Sequence, residues 1–337
     1  MAQKTSLKDI AEKVGVSIAL VSYVINGLEK EKRVGADVVE RIKKAALELN
    51  YRPNRIAQSL RTGATKTIGL IVADIANPFF GILARVIEDE ASRLGYTVIF
   101  GSSDEDSNKL ASLTDILLNR QVDGFIIVPA EGTEMQIKSL QERAIPLVLT
   151  DRYFSNLSTN YVALDNFSAT FDAVSHLIGN GYKRIGMIAY RSDLVHMQER
   201  IRGYSEAMKR NDPASVLQVE EVSYGNINTG TESAIEKLTC GEKQVDAIIF
   251  ATNALTIVGL YSLKKLNLKV PEELAIVGFD GNAAFDFFSS PLTFIEQPIE
   301  EMGREAVRIL IGQINGSSEI VQIQLNHTLI KRQSSMQ

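Results

Sequence analysis

The sequence predicts an α/β protein in which a small three-helix headpiece precedes a two-lobed body of doubly wound parallel sheets. Residues 5–49 contain three short amphipathic helical segments with helix-turn-helix spacing. From Thr67 onward, apolar strand-like runs alternate with helical segments. At 337 residues the chain also exceeds the roughly 250–300 residues at which one core stops growing, so more than one folding unit is expected.

Charge is divided unevenly along the chain. The net charge is −5, but residues 1–64 hold 12 Lys and Arg against 7 Asp and Glu, a net charge of +5, which leaves −10 for the remainder. Such a basic segment can attract phosphates locally, because charges are screened beyond about 10 Å. Cys240 is the only cysteine, and no apolar run approaches ~20 residues, which predicts a protein of the reducing cytoplasm with no membrane partner.

The headpiece is predicted to begin with two helices joined by a tight turn, in which Gly15 supplies the turn and Ser17 is a favourable N-cap. The apolar positions of these helices are Leu7, Ile10, Ala11, Val14, Leu20, Val21 and Val24. A third amphipathic helix is expected from Asp37 to Leu49, and Pro53 is well placed to begin a short fourth helix. A generic three-helix bundle for protein contacts is the alternative interpretation.

The body is predicted to bind a ligand where its strands end. Its strand-like runs are TIGLIVA, YTVIFGS, GFIIVP, IPLVLT, RIGMIAY, DAIIFA and LAIVGF. A break near residues 165–168 and a late return through PLTFIEQP indicate two lobes. Ligands of open parallel sheets bind at the carboxyl ends of strands.

Candidate ligand-binding residues therefore follow the predicted strands. They are Asp74, Asn77, Phe79, Phe80, Asp104, Asp151, Arg152, Asn253, Asp280 and Gln297. Carboxylates, amides and Arg can hydrogen-bond several hydroxyl groups, while an aromatic ring such as Phe79 can cover the C–H face of a sugar. The simpler roles are a helix cap for Asp74 or Asp151 and a core position for Phe80.

Motifs of catalysis and metal binding are missing from the sequence. The first strand runs into DIANPFF rather than a GxGxxG turn, and residues 62–66 lack the spacing of a phosphate-binding loop. There is no GxSxG turn, and His176, His196 and His327 lie far apart. We therefore predict that the protein is not an enzyme and needs no metal or cofactor. A solute-binding protein for transport would fit the body alone and would leave the basic headpiece without a task.

Stretches throughout the chain resemble the lactose-repressor (LacI/GalR) family of bacterial transcription regulators. They are LKDIAEKVGVS, VSYVING, ALELNYRPNRIAQSLRTG, TIGLIVADIANPFF, QVDGFIIVPA, RIRGY, LAIVGFDG and SSPLTFIEQP. The resemblance implies a helix-turn-helix headpiece over residues 1–52, a hinge helix and linker over 53–64, and a periplasmic-binding-protein-like body over 65–337. It further implies an N-lobe of about 65–163 plus 292–320 and a C-lobe of about 164–291 plus 321–337.

The resemblance places the second helix in the major groove of DNA and the hinge helix in the minor groove. The implied headpiece contacts are Thr5, Ser17, Ile18, Ala19, Ser22, Tyr23 and Asn26. The implied hinge contacts are Asn54, Arg55, Ala57 and Leu60, with Leu60 as a wedge between base pairs. Many relatives have Thr at Leu20 and Arg at Tyr23. Without that Arg, base reading is expected to depend on thymine methyl groups and one Tyr hydroxyl.

The resemblance also implies a cytoplasmic homodimeric repressor that binds a pseudo-palindromic operator and is controlled by a small molecule, a sugar or sugar derivative, between the lobes. Arg200, Asp280 opposite it, and His196 fall on effector-contact positions. Asn253 is followed by Ala254 where relatives usually have Asp, so this part of the expected site has fewer polar side chains. A purine corepressor or a protein partner is the alternative regulator, and the sequence does not give the direction of its effect.

Overall fold

The computed structural model describes residues 5–51, 63–241 and 244–336 of the chain. Contacts between residues divide the chain into a headpiece that ends at Thr65 and a body that begins at Lys66. Among the described residues, no helix is both long enough and apolar enough to cross a membrane.

The headpiece contains the three helices that the sequence predicts. They are α1 (Leu7–Val14), α2 (Ile18–Ile25) and α3 (Ala36–Glu48). A capping box between Ser6 and Asp9 starts α1, and Gly15 ends it at a φ of +74°, a conformation that favours glycine. Ser17 Oγ accepts a hydrogen bond from the backbone N–H of Leu20 and so caps α2. The shared core consists of Ile10, Ala11, Val14, Val21, Val24, Ile42 and Ala45.

The first lobe of the body is a six-stranded parallel sheet with a hydrophobic core on each face. Its strands are β1 (Thr67–Val72), β2 (Thr97–Ser102), β3 (Gly124–Ile127), β4 (Leu147–Thr150), β5 (Asn160–Leu164) and β11 (Gln322–Leu325). Its helices are α4 (Pro78–Arg93), α5 (Ser107–Asn119), α6 (Glu134–Glu142) and α12 (Ile299–Ile314). The strand order is β11-β5-β4-β3-β1-β2. Strands β3 and β4 are buried along their whole length, as expected for a sheet covered on both faces.

The second lobe repeats this architecture. Its strands are β6 (Ile185–Tyr190), β7 (Gln218–Val222), β8 (Ala247–Phe250), β9 (Ala275–Phe279), β10 (Thr293–Glu296) and β12 (Thr328–Ile330). Its helices are α7 (Asn166–Gly179), α8 (Val195–Asn211), α9 (Ile227–Thr239), α10 (Asn253–Lys265) and α11 (Ala284–Phe287). The order is β12-β10-β9-β8-β6-β7, and only the β10–β12 pair among these described strands is antiparallel.

All seven predicted strand-like runs contain a strand, namely β1, β2, β3, β4, β6, β8 and β9. The return segment PLTFIEQP contains β10. Strands β5, β7, β11 and β12 were not among the predicted runs. The α/β class and the two parallel sheets are therefore confirmed, while the sheets are wider than the sequence predicts.

The described body chain crosses between the lobes at three points: after β5, after β10 and after β11. Thr293 of β10 pairs with Val277 of β9, so β10 belongs to the second lobe. Gln322 of β11 pairs with Tyr161 of β5, so β11 belongs to the first. The predicted lobe limits at residues 292 and 321 are therefore wrong. A short apolar run indicates a strand, but tertiary packing selects its neighbour.

Helices α7 and α8 pack closely at Gly203. A Cβ atom at this position would lie 2.3 Å from the backbone carbonyl oxygen of Phe167. Only a hydrogen atom fits there, so glycine sets the distance between the two helices. Arg200 lies almost one turn before Gly203 on α8, and Asn166 begins α7. This contact therefore positions two residues of the site described next.

Candidate functional site

A cavity lies at the carboxyl ends of strands from both lobes. Its lining residues follow β1, β2, β4, β6, β8, β9 and β10 or lie on the adjoining helices and the turn after β7. They are Asp74, Asn77, Phe79, Phe80, Glu105, Asp151, Arg152, Tyr190, His196, Arg200, Tyr224, Thr252, Ala254, Asp280 and Gln297. Ten of these belong to the predicted ligand-binding set, so one cavity collects most of it.

Arg200 forms part of the cavity wall and is 3% exposed. Its Nε donates to Asn166 Oδ1 at 2.7 Å, and its Nη1 donates to the carbonyl oxygen of Ala251 at 2.5 Å. The guanidinium carbon lies 3.6 Å from the centre of the Phe279 ring. Burial lowers the pKa of Arg200 to about 10, against the opposing effect of Asp280, so the group stays charged at neutral pH.

Asp280 follows β9 in the left-handed region of backbone space, with a φ of +60°. Gln297 Nε2 donates to its Oδ1 at 2.7 Å, and Asn253 Nδ2 donates to its carbonyl oxygen at 3.0 Å. Burial raises the pKa of Asp280 to about 7, although Arg200 and Gln297 act in the opposite direction. The carboxyl group therefore titrates near neutral pH.

Arg152 is held by two carboxylates. Its Nη1 and Nη2 donate to the two oxygens of Glu105, each at 2.6 Å, and its Nε lies 3.3 Å from Asp151 Oδ2. Burial alone would lower the pKa of Arg152, but Glu105 and Asp151 outweigh it and raise the pKa. Burial raises the pKa of Asp151, which Arg152 and Arg200 partly offset. The bidentate geometry makes the Arg152–Glu105 pair a firm part of the cavity wall.

A hydrogen bond joins the two lobes at the cavity. Tyr224, in the 3₁₀ turn after β7, donates from its hydroxyl to Asp74 Oδ2 at 2.7 Å. Burial and the adjacent Asp74 carboxylate raise the pKa of Tyr224, so the hydroxyl keeps its proton. The ring of Tyr190 lies beside that of Tyr224, with centroids 5.6 Å apart. These contacts link the end of β1 in the first lobe to β6 and β7 in the second.

Two predicted ligand-binding residues do not line the cavity. Asp104 turns away from it, because its carboxylate accepts a hydrogen bond from Ser102 Oγ and forms an ion pair with Lys109. Asn253 is 2% exposed and uses its amide to support the Asp280 loop. As direct lining residues, both predictions are wrong, and both side chains have structural partners instead.

Of the simpler roles considered, the core position of Phe80 is confirmed, whereas neither Asp74 nor Asp151 caps a helix of the described residues. Asp74 Oδ1 accepts a hydrogen bond from the N–H of Ala76, which stabilises the turn after β1. Phe79 and Phe80 are buried in the core of the first lobe and also line the cavity. Asn77 caps α4 by accepting from the N–H of Phe79. Structural and lining roles therefore coexist in this segment.

Sequence reasoning missed five lining residues. They are Glu105, Tyr190, Tyr224, Thr252 and Ala254. Glu105 and Thr252 lie next to residues that were predicted, and Tyr190 ends a predicted strand. Tyr224 follows β7, whose residues Gln218–Val222 gave no apolar strand signal. A search one residue either side of each predicted ligand-binding residue would have added Glu105, Thr252 and Ala254.

In the headpiece, α2 exposes the apolar residues at its start. Ile18 is 48% exposed and Ala19 is also exposed, whereas Ser22 and Tyr23 are partly buried. Asn26 Nδ2 donates to the carbonyl oxygen of Ser22 at 2.6 Å and to its Oγ at 3.1 Å. An exposed apolar helix start is suited to contact with thymine methyl groups in a major groove.

Two other predicted DNA contacts have partners inside the headpiece. Thr5 Oγ1 donates to the carbonyl oxygen of Leu49 at 2.9 Å, and Ser17 Oγ caps α2. The hinge residues predicted to contact DNA, Asn54, Arg55, Ala57 and Leu60, lie outside the described residues. Across residues 5–51, 63–241 and 244–336, no group of three or more His, Cys, Asp or Glu side chains is arranged to hold a metal ion.

Comparison with known proteins agrees with this arrangement. The family model for bacterial regulatory proteins, lacI family, matches residues 6–54, and a periplasmic binding protein-like domain matches residues 174–335. Catabolite control protein A of Priestia megaterium is 31% identical over 333 residues, which cover 98% of this chain and 99% of that protein. This chain belongs to the lacI family of bacterial regulatory proteins. Members of this family are DNA-binding transcription regulators rather than enzymes, and the fold described above is theirs.

Two further relatives of this LacI-family chain cover most of its length. The HTH-type transcriptional repressor CytR of Escherichia coli strain K12 is 31% identical over 312 residues, which are 92% of this chain and 90% of CytR. The transcriptional regulator CelR, solved as a cellobiose complex, superimposes with a TM-score of 0.70 at 26% identity and covers 98% of this chain and 100% of CelR. Transcription regulation through DNA binding is therefore the function of this chain.

Proposed function

We propose that this LacI-family chain is a homodimeric repressor of a pseudo-palindromic operator and that a small polyhydroxy effector, a sugar or sugar derivative, sets its operator affinity from the cavity. The observation that best supports this proposal is that charged, amide and aromatic side chains from both lobes line one cavity. Such a lining suits a ligand with several hydroxyl groups. The binding of cellobiose by the related CelR supports a sugar as the effector class.

Effector control follows from a ligand that contacts both lobes. Arg200 and Asp280 belong to the second lobe, whereas Asp151 and Phe79 belong to the first. A ligand bound between them favours the arrangement of the lobes in which all its contacts are made. We propose that this arrangement is transmitted to the hinge, residues 53–64, where Leu60 acts as the minor-groove wedge. A coupling of about 1–3 kcal/mol would change operator affinity by about 5–150-fold.

Homodimer formation is supported by exposed apolar side chains on both lobes. Ile99 and Phe100 lie on β2, which is an edge strand of the first sheet, and Ile82 lies on α4. In the second lobe, Tyr261 is 74% exposed and Phe287 is 87% exposed. Exposed aromatic and aliphatic groups of this size are typical of contact surfaces. A two-fold protein requires a two-fold site, which is the reason for a pseudo-palindromic operator.

DNA reading is assigned to α2. Its exposed Ile18 and Ala19 are proposed to contact thymine methyl groups, and the Tyr23 hydroxyl to hydrogen-bond a base or phosphate. The excess of positive charge over residues 1–64 supplies the nonspecific attraction to phosphates. Since the operator lies on bacterial DNA, the proposed site of action is the cytoplasm.

The test uses the full-length protein and DNA selected by it from a randomised palindromic library. Thermal shift with a sugar panel identifies ligands, and fluorescence anisotropy then measures operator affinity with and without each one. We expect at least one ligand to change the operator Kd about 5-fold or more, in either direction. Ligands that bind with no effect on operator affinity, or a protein that selects no DNA sequence, would contradict the proposal.

A further inference from the structure

The cavity lining contains more acidic than basic groups. Its lining contains four carboxyl groups, those of Asp74, Glu105, Asp151 and Asp280, against two guanidinium groups, those of Arg152 and Arg200. No lysine is among the described lining residues. The lining carries a net charge of −2 with every group ionised and of zero if Asp151 and Asp280, whose pKa values burial raises, are protonated. An anionic ligand would therefore enter a cavity with no excess of positive charge in either state.

Both guanidinium groups are already engaged by the protein. Arg152 gives both Nη atoms to Glu105, which neutralises it and fills its planar fork. Arg200 gives Nε to Asn166 and Nη1 to Ala251, which leaves only Nη2 for a ligand. A phosphate or carboxylate is normally bound by a free bidentate fork or by several cations. Neither is present among the described lining residues.

Other sources of positive potential at the cavity are also weak. Burial and the neighbouring Arg152 and Arg200 hold the pKa of His196 well below its usual range, so its ring is neutral at pH 7. The helices α4 and α10 begin at the cavity, but Asn77 caps the first and Thr252 caps the second with side-chain oxygens. Their N-terminal amides are therefore partly satisfied within the protein.

The unpartnered buried polar atoms of the described lining include both acceptors and donors, since Arg152 Nε and the Tyr190 hydroxyl are among them. Gln297 Oε1 is buried with no hydrogen-bond partner among the described residues, in a side chain that is 4% exposed. His196 Nδ1 is likewise buried without a partner there, in a side chain that is 6% exposed. The carboxylates of Asp151 and Asp280 add further acceptor oxygens. Such a lining suits a ligand whose groups both donate and accept hydrogen bonds, as the hydroxyl groups of a sugar do.

We propose that the effector of this cavity is a polyhydroxy molecule without an anionic group, a neutral sugar or an amino sugar, and that phosphorylated and carboxylated sugars are excluded by charge. The assignment rests on the proposed function, since it concerns the same cavity, and it specifies the chemical class of the effector. It also assigns Glu105 a specificity role. By occupying the Arg152 fork, Glu105 removes the group that would otherwise bind a phosphate or carboxylate.

The test compares sugars that share one ring but differ in charge. Full-length protein is titrated by calorimetry with glucose, glucosamine, glucuronate and glucose 6-phosphate, and with the corresponding galactose, ribose and cellobiose sets. We expect the tightest binders to be neutral or amino compounds and their anionic counterparts to bind at least about 100-fold more weakly. An anionic compound that binds as tightly as its parent overturns the proposal. Failure of every neutral and amino compound at about 10 mM also overturns it.

A charge variant tests the role of Glu105 directly. Glu105→Gln frees the Arg152 fork and removes one negative charge, so the preference for the neutral over the anionic sugar should fall at least about tenfold. Glu142→Gln, at an exposed position of the same lobe away from the cavity, is the matched control and should keep the wild-type ratio. If Glu105→Gln fails to fold, Asp74→Asn removes a lining charge without uncovering a buried Arg. An unchanged ratio in the folded variants overturns the charge-exclusion account.

The outcomes also separate this inference from the proposed function. If a neutral sugar binds but leaves operator affinity unchanged, the effector-control proposal fails while the class of cavity ligand stands. If an anionic compound binds best and changes operator affinity, the charge inference fails while effector control stands.

Discussion

Substituting Gly203 by Ala tests whether the close contact of α7 and α8 sets the geometry of the cavity. The new Cβ atom would lie 2.3 Å from the Phe167 carbonyl oxygen, whereas real Cβ contacts stay beyond 3.0 Å, so the helices must separate by roughly 0.7 Å or more. Overpacking of this kind costs about 1–3 kcal/mol. At about 2–4 °C per kcal/mol for a unit of this size, Tm should fall by about 2–12 °C.

The same displacement should reach the effector site. Arg200 Nε and Asn166 Oδ1 are 2.7 Å apart across the two helices, so a separation of this size takes the pair to the limit of a hydrogen bond. Effector affinity should therefore fall about tenfold, as measured by calorimetry with the best ligand of the sugar panel. Gly312→Ala in α12 is the control, because its Cβ position meets only ordinary contact at 3.9 Å. If Gly203→Ala melts and binds like this control, the close-contact reasoning is refuted.

Three further expectations concern the cavity and the DNA-binding helix. Arg200→Lys should weaken effector binding at least about 100-fold and also lower Tm. The reason is that an ammonium group cannot replace the hydrogen bonds that the guanidinium group makes to α7 and to the end of β8. An effector Kd that is unchanged in calorimetry would contradict this. The pKa of Asp280 in the folded state, about 7, lies above its ordinary 3.8. The folded protein therefore retains a proton that the unfolded chain loses. As pH rises from about 4 to 7, the free energy of unfolding should fall by on the order of 4 kcal/mol. Asp280→Asn should reduce that slope in urea unfolding and leave the part that belongs to Asp151, while Asp115→Asn at an exposed site should leave the whole slope unchanged. Replacing Ile18 and Ala19 by Ser should change the preferred bases in library selection but leave the salt dependence of operator binding unaltered, since neither side chain neutralises a phosphate.

The sequence predicts local elements well because their signals are local. The capping residues Ser6 and Ser17, the turn at Gly15 and the apolar spacing of the first three helices all operate within a few residues. The same holds for fully buried strands such as β3 and β8, which read as short apolar runs. Strand β7 escaped prediction because it lies at an edge of its sheet and carries Glu220 and Glu221.

The cavity was predicted in location but not in every side chain. A strand end can be placed from the sequence, yet the direction of each following side chain depends on backbone angles that tertiary contacts determine. Asp104 and Glu105 are adjacent and both have positive φ, but only Glu105 meets a guanidinium group across the cavity. Asn253 was selected for its polarity, and its amide instead supports the carbonyl of Asp280. The prediction of which lobe contains β10 and β11 was wrong for a related reason, since strand pairing is non-local.

The three crossings between the lobes form the hinge region of the body. The first and third crossings are joined directly, because the Asp165 N–H donates to the Leu325 carbonyl oxygen at 2.9 Å. Gln297 lies at the second crossing and faces the cavity, and Asn166, just past the first, anchors Arg200. Hinge closure of two-lobed proteins is absorbed by a few connecting residues of this kind. Under the proposed function, a ligand held by Gln297 and Arg200 would act next to these connections, where a small displacement becomes a larger one at the outer ends of the lobes.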